Sequence, residues 1–147
     1  LRNLFGGELL ARMDRAGAIS ATKHSEKRVV TASVNHVSFD NPIPEGGIVV
    51  VEAKVSRAFS TSMEVYVDVW EDDPINQRKI HTNSGIYTFV AIDENGKPAK
   101  VPELEPETEL EIERFAAAKR RKELSLILSG KMKPTDSIEL KKLFLGE

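Results

Sequence analysis

Residues 48–70 read IVVVEAKVSRAFSTSMEVYVDVW. Two runs in this stretch alternate with a period of two. Val49, Val51, Ala53 and Val55 share one face opposite Glu52 and Lys54, and Met63, Val65, Val67 and Val69 repeat the pattern. Successive side chains of a strand point to opposite faces, so each run predicts a strand with one apolar face. Upstream, VVTASVNHVSF (29–39) is rich in β-branched residues and is bounded by DNPIPEGG (40–47), whose prolines and glycines cannot continue a ladder. Downstream, EDDPINQR (71–78) predicts a turn, and KIHTNSGIYTFVAI (79–92) predicts a last long strand closed by DENG (93–96). Ahead of all four strands lies a helix from Gly6 to about Ala21. Its apolar residues Leu9, Leu10, Met13, Ala16, Ala18 and Ile19 cover most of the circumference and leave Glu8, Arg12 and Arg15 as one charged stripe. Short connections and this element order predict an α+β fold, with a mostly antiparallel sheet wrapped around a central, largely buried helix.

The 147 residues suffice for a core without metals or disulfides, and there is no cysteine to supply a thiol nucleophile or a thiolate ligand. The net charge of −2 provides no global field for nucleic acid, and no apolar run approaches the roughly 18 residues of a membrane span. The composition fits a cytoplasmic protein. Beyond Pro106, ETELEIERFAAAKRRKELSLILSG (107–130) has early glutamates, a basic Lys119–Lys122 run and Gly130 as its stop, which predicts an accessory helix. A further short helix is expected to start at Asp136, with Glu139 three residues on in the manner of a capping box. His24, His36 and His81 lie far apart, without metal-ligand spacing or a nucleophilic serine motif, and are expected to be structural.

The chemistry points to NLFGGELLARMDRAGA (3–18). Gly6 and Gly7 open a helix, whose first N–H groups have no intrahelical acceptor and can donate to a carbonyl oxygen becoming an oxyanion. Asp14, seven residues on, falls near the same face about 10 Å along the axis and can take a proton from water. The same residues also suit close packing at the glycines and a carboxylate that merely caps or reaches solvent.

NLFGGELLARMDRAGAISA (3–21), RVVTASVNHVSFDNPIPEGG (28–47), VSRAFSTSMEVYVDVW (55–70) and YTFVAIDENGKPAKVP (87–102) together resemble the hotdog-fold acyl-CoA thioesterases. The resemblance covers residues 1–102 as a thioesterase domain and leaves 103–147 as a C-terminal helical extension. It implies a five- or six-stranded sheet curled round the helix, with the first strand upstream of Leu1. It also implies a homodimer with active sites at the subunit interface, and trimers of dimers. By motif the catalytic carboxylate is Asp14, as general base or nucleophile, beside the Gly6–Gly7 helix start. In the family pattern N-x-x-G-N-x-x-G-G, Asn3 matches the second asparagine, the first would precede Leu1, and Arg2 replaces a glycine.

A CoA thioester carries phosphates, which call for cations and donors. Arg57, Ser60, Thr61 and Ser62 are the candidates where the resemblance puts CoA contacts, with Arg28 and the Lys119–Lys122 run as further cations. Arg57 and Ser60–Ser62 read equally as polar turn and strand-edge positions, and the Lys119–Lys122 run reads first as a solvated helix face. Phe39 and Phe89 are candidates to line an acyl pocket. CoA enters as part of the substrate, with no other cofactor, no metal and no nucleic-acid partner expected. A non-catalytic acyl-CoA-binding module, sensor or scaffold, is the alternative, which a carboxylate on the helix disfavours because binding alone gains nothing from desolvating it.

Overall fold

A computed structural model describes residues 3–146, so the expectation for Arg2 lies outside the described residues. Helix α1 (Gly6–Ser25) is followed by β1 (Arg28–Phe39), β2 (Ile48–Ala58), β3 (Ser62–Asp73) and β4 (Arg78–Ile92). The strands form one antiparallel sheet in the order β1-β4-β3-β2. Four strands are present among the described residues where the resemblance implies five or six. Only three described residues precede α1, enough for a single bridge between Asn3 and Pro44.

The alternation predicted for β3 is observed: Met63, Val65, Val67 and Val69 are all fully buried. They meet α1 together with Tyr87, Phe89 and Ala91 of β4. Burial of side chains this size contributes about 1.5–3 kcal/mol each. The helix sits close to the sheet at Gly17, where a Cβ would come within 2.9 Å of the Phe89 ring. Phe89 is therefore core packing beneath the helix rather than part of an acyl pocket.

Two expectations are corrected. The helix is not largely buried within this chain. Its buried residues are Leu9, Met13, Gly17, Ala21 and Ser25, one stripe at every fourth position, while Ile19 remains 58% exposed. A single sheet can cover only one side of a helix. The turn at 71–78 is also shorter, since β3 and β4 pair as far as Asp73 and Arg78. Asp73 holds it, accepting hydrogen bonds from the backbone N–H and side-chain amide of Asn76, and these keep its carboxyl below the ordinary value.

The chain forms two compact units, Leu1–Leu104 and Glu105–Glu147. The second holds α2 (Glu109–Leu128) and α3 (Ile138–Leu145). Thr108 caps α2, its hydroxyl accepting from the Glu111 N–H and donating to the Glu111 carboxylate. The α3 cap is Ser137 and not Asp136. A 3-10 turn over Pro134–Asp136 consumes Asp136, and Ser137 Oγ then accepts from the Leu140 N–H. The Glu123 carboxylate takes the next donors, Ser137 Oγ and the Glu139 N–H.

Candidate active site on one flank of the helix

Helix α1 begins at Gly6 after an extended Phe5 that offers no side-chain cap. The first main-chain bond back into the helix start comes from the Leu9 N–H to the Phe5 carbonyl, at 3.0 Å. The amides of Gly6 and Gly7 thus belong to the unsatisfied first turn. Gly7 is exposed, and Phe5 lies over it so closely that a Cβ would sit 2.8 Å from the ring. Phe39, at the far end of β1, borders Gly6. Asn3 is exposed, and next to it the Leu4 N–H bonds to the Ile43 carbonyl.

Asp14 leaves the charged stripe because it lies on the flank turned toward β1. Thr31 Oγ1 donates to Asp14 Oδ1 at 2.8 Å, and the other carboxylate oxygen has no hydrogen-bond partner among the described residues. Thr31 is a candidate site residue that the sequence analysis missed. It lies 17 positions from Asp14 in an ordinary strand pattern, with no local signal to mark it. Beneath them the buried Tyr87 hydroxyl donates to the Leu10 carbonyl at 3.0 Å, one turn before Asp14. Burial, with the negative charge of Asp14 added, pushes the Tyr87 phenol up to about 12. The phenol therefore stays a donor throughout the neutral range.

The two halves of the expected chemistry are separated. Gly7 and Asp14 lie on one continuous helix, seven residues and about 10 Å apart. A reacting carbonyl must sit about 3 Å from its donors and equally close to the base or its water. The glycine amides and the Asp14 carboxylate thus stand about two turns apart on one helix.

The candidate CoA contacts gather at the end of the sheet away from Gly6 and Phe39, the end that also carries Thr31, since Thr31 and Met63 both pair with Phe89. Phe59 N–H bonds to the Ser62 carbonyl, Ala91 N–H to that of Thr61, and Val101 N–H to that of Ser60. Arg28 starts β1 at the same end, paired with Ile92. Ser62 is only 6% exposed, which withdraws its side chain from a ligand, whereas Ser60 is exposed and the Arg57 guanidinium lies over the Phe59 ring. His24 ties the end of α1 to the Pro102 carbonyl at 2.8 Å, and His81 faces Asp68 at 2.9 Å. No group of three metal-ligating side chains occurs among the described residues. No described helix is long and apolar enough to cross a membrane.

Strand β1 is an edge, paired to β4 alone, with bulges after Thr31 and Asn35 and with Val30 and Val34 more than 40% exposed. An edge so long and apolar is poorly protected against pairing with another strand.

The family model of the thioesterase superfamily matches residues 1–76. Protein VdlD of Helicobacter pylori is 40% identical over 121 residues, which span 82% of this chain and 69% of the relative. Among solved structures, an apo-hexameric acyl-CoA thioesterase superposes with a TM-score of 0.81 at 40% identity, covering 84% of this chain and 79% of the other. The Staphylococcus aureus acyl-CoA hydrolase, solved with butyryl coenzyme A, coenzyme A and coenzyme A disulfide, gives 0.81 at 39% identity, covering 88% and 80%. With this sheet, this helix and these relatives, the chain belongs to the thioesterase superfamily, among its hotdog-fold acyl-CoA thioesterases.

Proposed function

We propose that this chain hydrolyses fatty acyl-CoA to the free acid and CoA, in a homo-oligomer whose active sites each draw on two subunits. The observation that carries the reading is the separation of Asp14 from the Gly6–Gly7 amides along a single helix. Pairing of two copies about a two-fold axis, with β1 as the open edge, sets one protomer's helix start beside its partner's Asp14–Thr31 pair. The amides then polarise the thioester carbonyl. Thr31 orients the Asp14 carboxylate, which either takes the proton of the attacking water or attacks the carbonyl carbon itself to give a mixed anhydride that water then hydrolyses to the free acid and the regenerated carboxylate. The carbon–sulfur bond breaks, and the CoA thiolate leaves and is protonated. Arg57, Ser60 and Thr61 are the proposed contacts for the CoA moiety, and Asn3 is proposed to support the site beside the helix start. Hexameric neighbours support assembly beyond a dimer.

The test is complementation. Asp14→Asn removes the base, and Gly7→Pro removes one amide donor at a first-turn position where a helix tolerates proline. Each variant alone should release little thiol from acyl-CoA. Dissociated and reassembled together, they should recover about a quarter of wild-type activity, since half of the dimers are mixed and each mixed dimer rebuilds one of its two sites. Absence of recovery from mixed oligomers overturns the shared site. The protein has no cysteine, so released thiol reports on CoA alone.

A further inference from the structure

Tyr87 lies on the inner face of β4, opposite Val34 of β1 and Val65 of β3, and is only 1% exposed. Its ring finds room there because the residue two positions back is Gly85, where a Cβ would come within 3.2 Å of Tyr87 Cε1 and 3.0 Å of Met13 Cε. Two positions on, the Phe89 ring lies nearly parallel to it, at 12° and 6.2 Å between centroids, beneath Gly17 and opposite Thr31. Held this way, the phenol hydroxyl donates to the Leu10 carbonyl at 3.0 Å. In an α-helix that carbonyl already accepts from the N–H four residues on, which is the N–H of Asp14. The helix has no need of a second donor at this rung, and a phenylalanine would fill the same space without desolvating a hydroxyl.

We propose that Tyr87 is a positioning residue for the hydrolysis, holding from β4 the helical rung that carries Asp14 while Thr31 holds the carboxylate from β1. The inference rests on the hydrolase reading above and assigns a residue that supports its base. Thr31 fixes one carboxylate oxygen, at 2.8 Å, but does not set where the helix lies over the sheet. Packing of Leu9 and Met13 sets that without direction, whereas a hydrogen bond is directional. The Tyr87 bond falls on the carbonyl that receives the Asp14 N–H, so two strands hold one residue, by its side chain and by its main chain. Burial, and then the charge of Asp14, push the phenol up to about 12, which keeps the donor in place throughout the neutral range. Tyr87 acts only through the placement of Asp14, and a misplacement of about 1 Å can cost about a hundredfold in rate.

The experiment measures kcat and KM for thiol release from acyl-CoA with wild type, Tyr87→Phe, Asp14→Asn and the double variant, below the melting temperature of each. Tyr87→Phe keeps the ring and should lower kcat about tenfold, with KM within about twofold of wild type. In the Asp14→Asn background the same substitution should cost less than about twofold, because groups that act as one unit are not additive. Gly85→Ala retains the hydroxyl but crowds the ring, and should also lower kcat without raising KM. Should Tyr87→Phe fail to fold, Gly85→Ala carries the same cycle with Asp14→Asn. A wild-type kcat in Tyr87→Phe overturns the proposal. An equal loss with and without the Asp14 carboxylate also overturns it, since a merely structural role has that signature, as does a loss confined to KM. Wild type that releases no thiol from any acyl-CoA overturns the hydrolase reading instead, so the two failures are told apart.

Discussion

β1 and β3 are each 12 residues long and rich in valine, yet the first four residues of β3, Ser62 to Val65, are buried while no residue of β1 is. Composition does not separate them; position in the sheet does. β3 lies between β2 and β4 and presents its inner face to α1, so its side chains can be replaced only by disturbing the core. β1 has one neighbour, two bulges and an open edge, and it carries Thr31 to the catalytic candidate. Burial is concentrated in the inner strand, and the outer one brings Thr31 to the candidate carboxylate on α1. A residue that must meet a ligand or a second subunit cannot also be sealed in the core.

The sharpest way to break this division is to remove chemistry without touching the core. Asp14→Asn should lower kcat by about 10² to 10⁴-fold, the usual worth of a general base, with little change in melting temperature. A large stability loss in this variant would place Asp14 among the structural residues. The converse is Met63→Ala on β3, which should cost about 2–5 kcal/mol of unfolding free energy and leave kcat near wild type at temperatures where the protein is folded. Val30→Ala on β1, removing an exposed side chain, should cost under about 1 kcal/mol in the same denaturation measurement. Equal costs in the two strands would erase the comparison.

The smallest effect concerns Tyr87, which lies between core and site. Its phenol is raised to about 12 from an ordinary 10, so between those values the unfolded chain has released a proton that the folded chain retains. This contribution is complete below about pH 10 and falls away as pH rises toward 12, by about 3 kcal/mol at most. Tyr87→Phe should remove that part of the slope, measured as the difference between wild type and variant in denaturant midpoints at pH 9 and pH 11.5. An unchanged slope would place the phenol outside the influence of burial and of Asp14.

Several features were legible in the sequence because they are local. The period-two runs around Val51 and Val67 state which side chains share a face, and the glycine pair ahead of a helical pattern states where amides are left free. Asp14 is distinguishable by its angle from Glu8, Arg12 and Arg15 on one helix. The burial of α1 was overread for a related reason: alanines and leucines around a helix announce apolar faces but not which of them this chain itself covers. The cap at Ser137 was misplaced by one residue because a proline-led turn just before it used the preceding aspartate.

By itself the sequence determined the element types, the apolar face of each strand, the helix that carries the carboxylate and the family to which these motifs belong. Only the tertiary structure decided that β1 is an edge, that Thr31 meets Asp14 across 17 residues, and that Ser62 turns inward. The reason is the range of the determining forces. Periodicity, capping and helix geometry act within a few residues and are written in the chain's local order, whereas strand order and side-chain partners depend on which distant segments pack together.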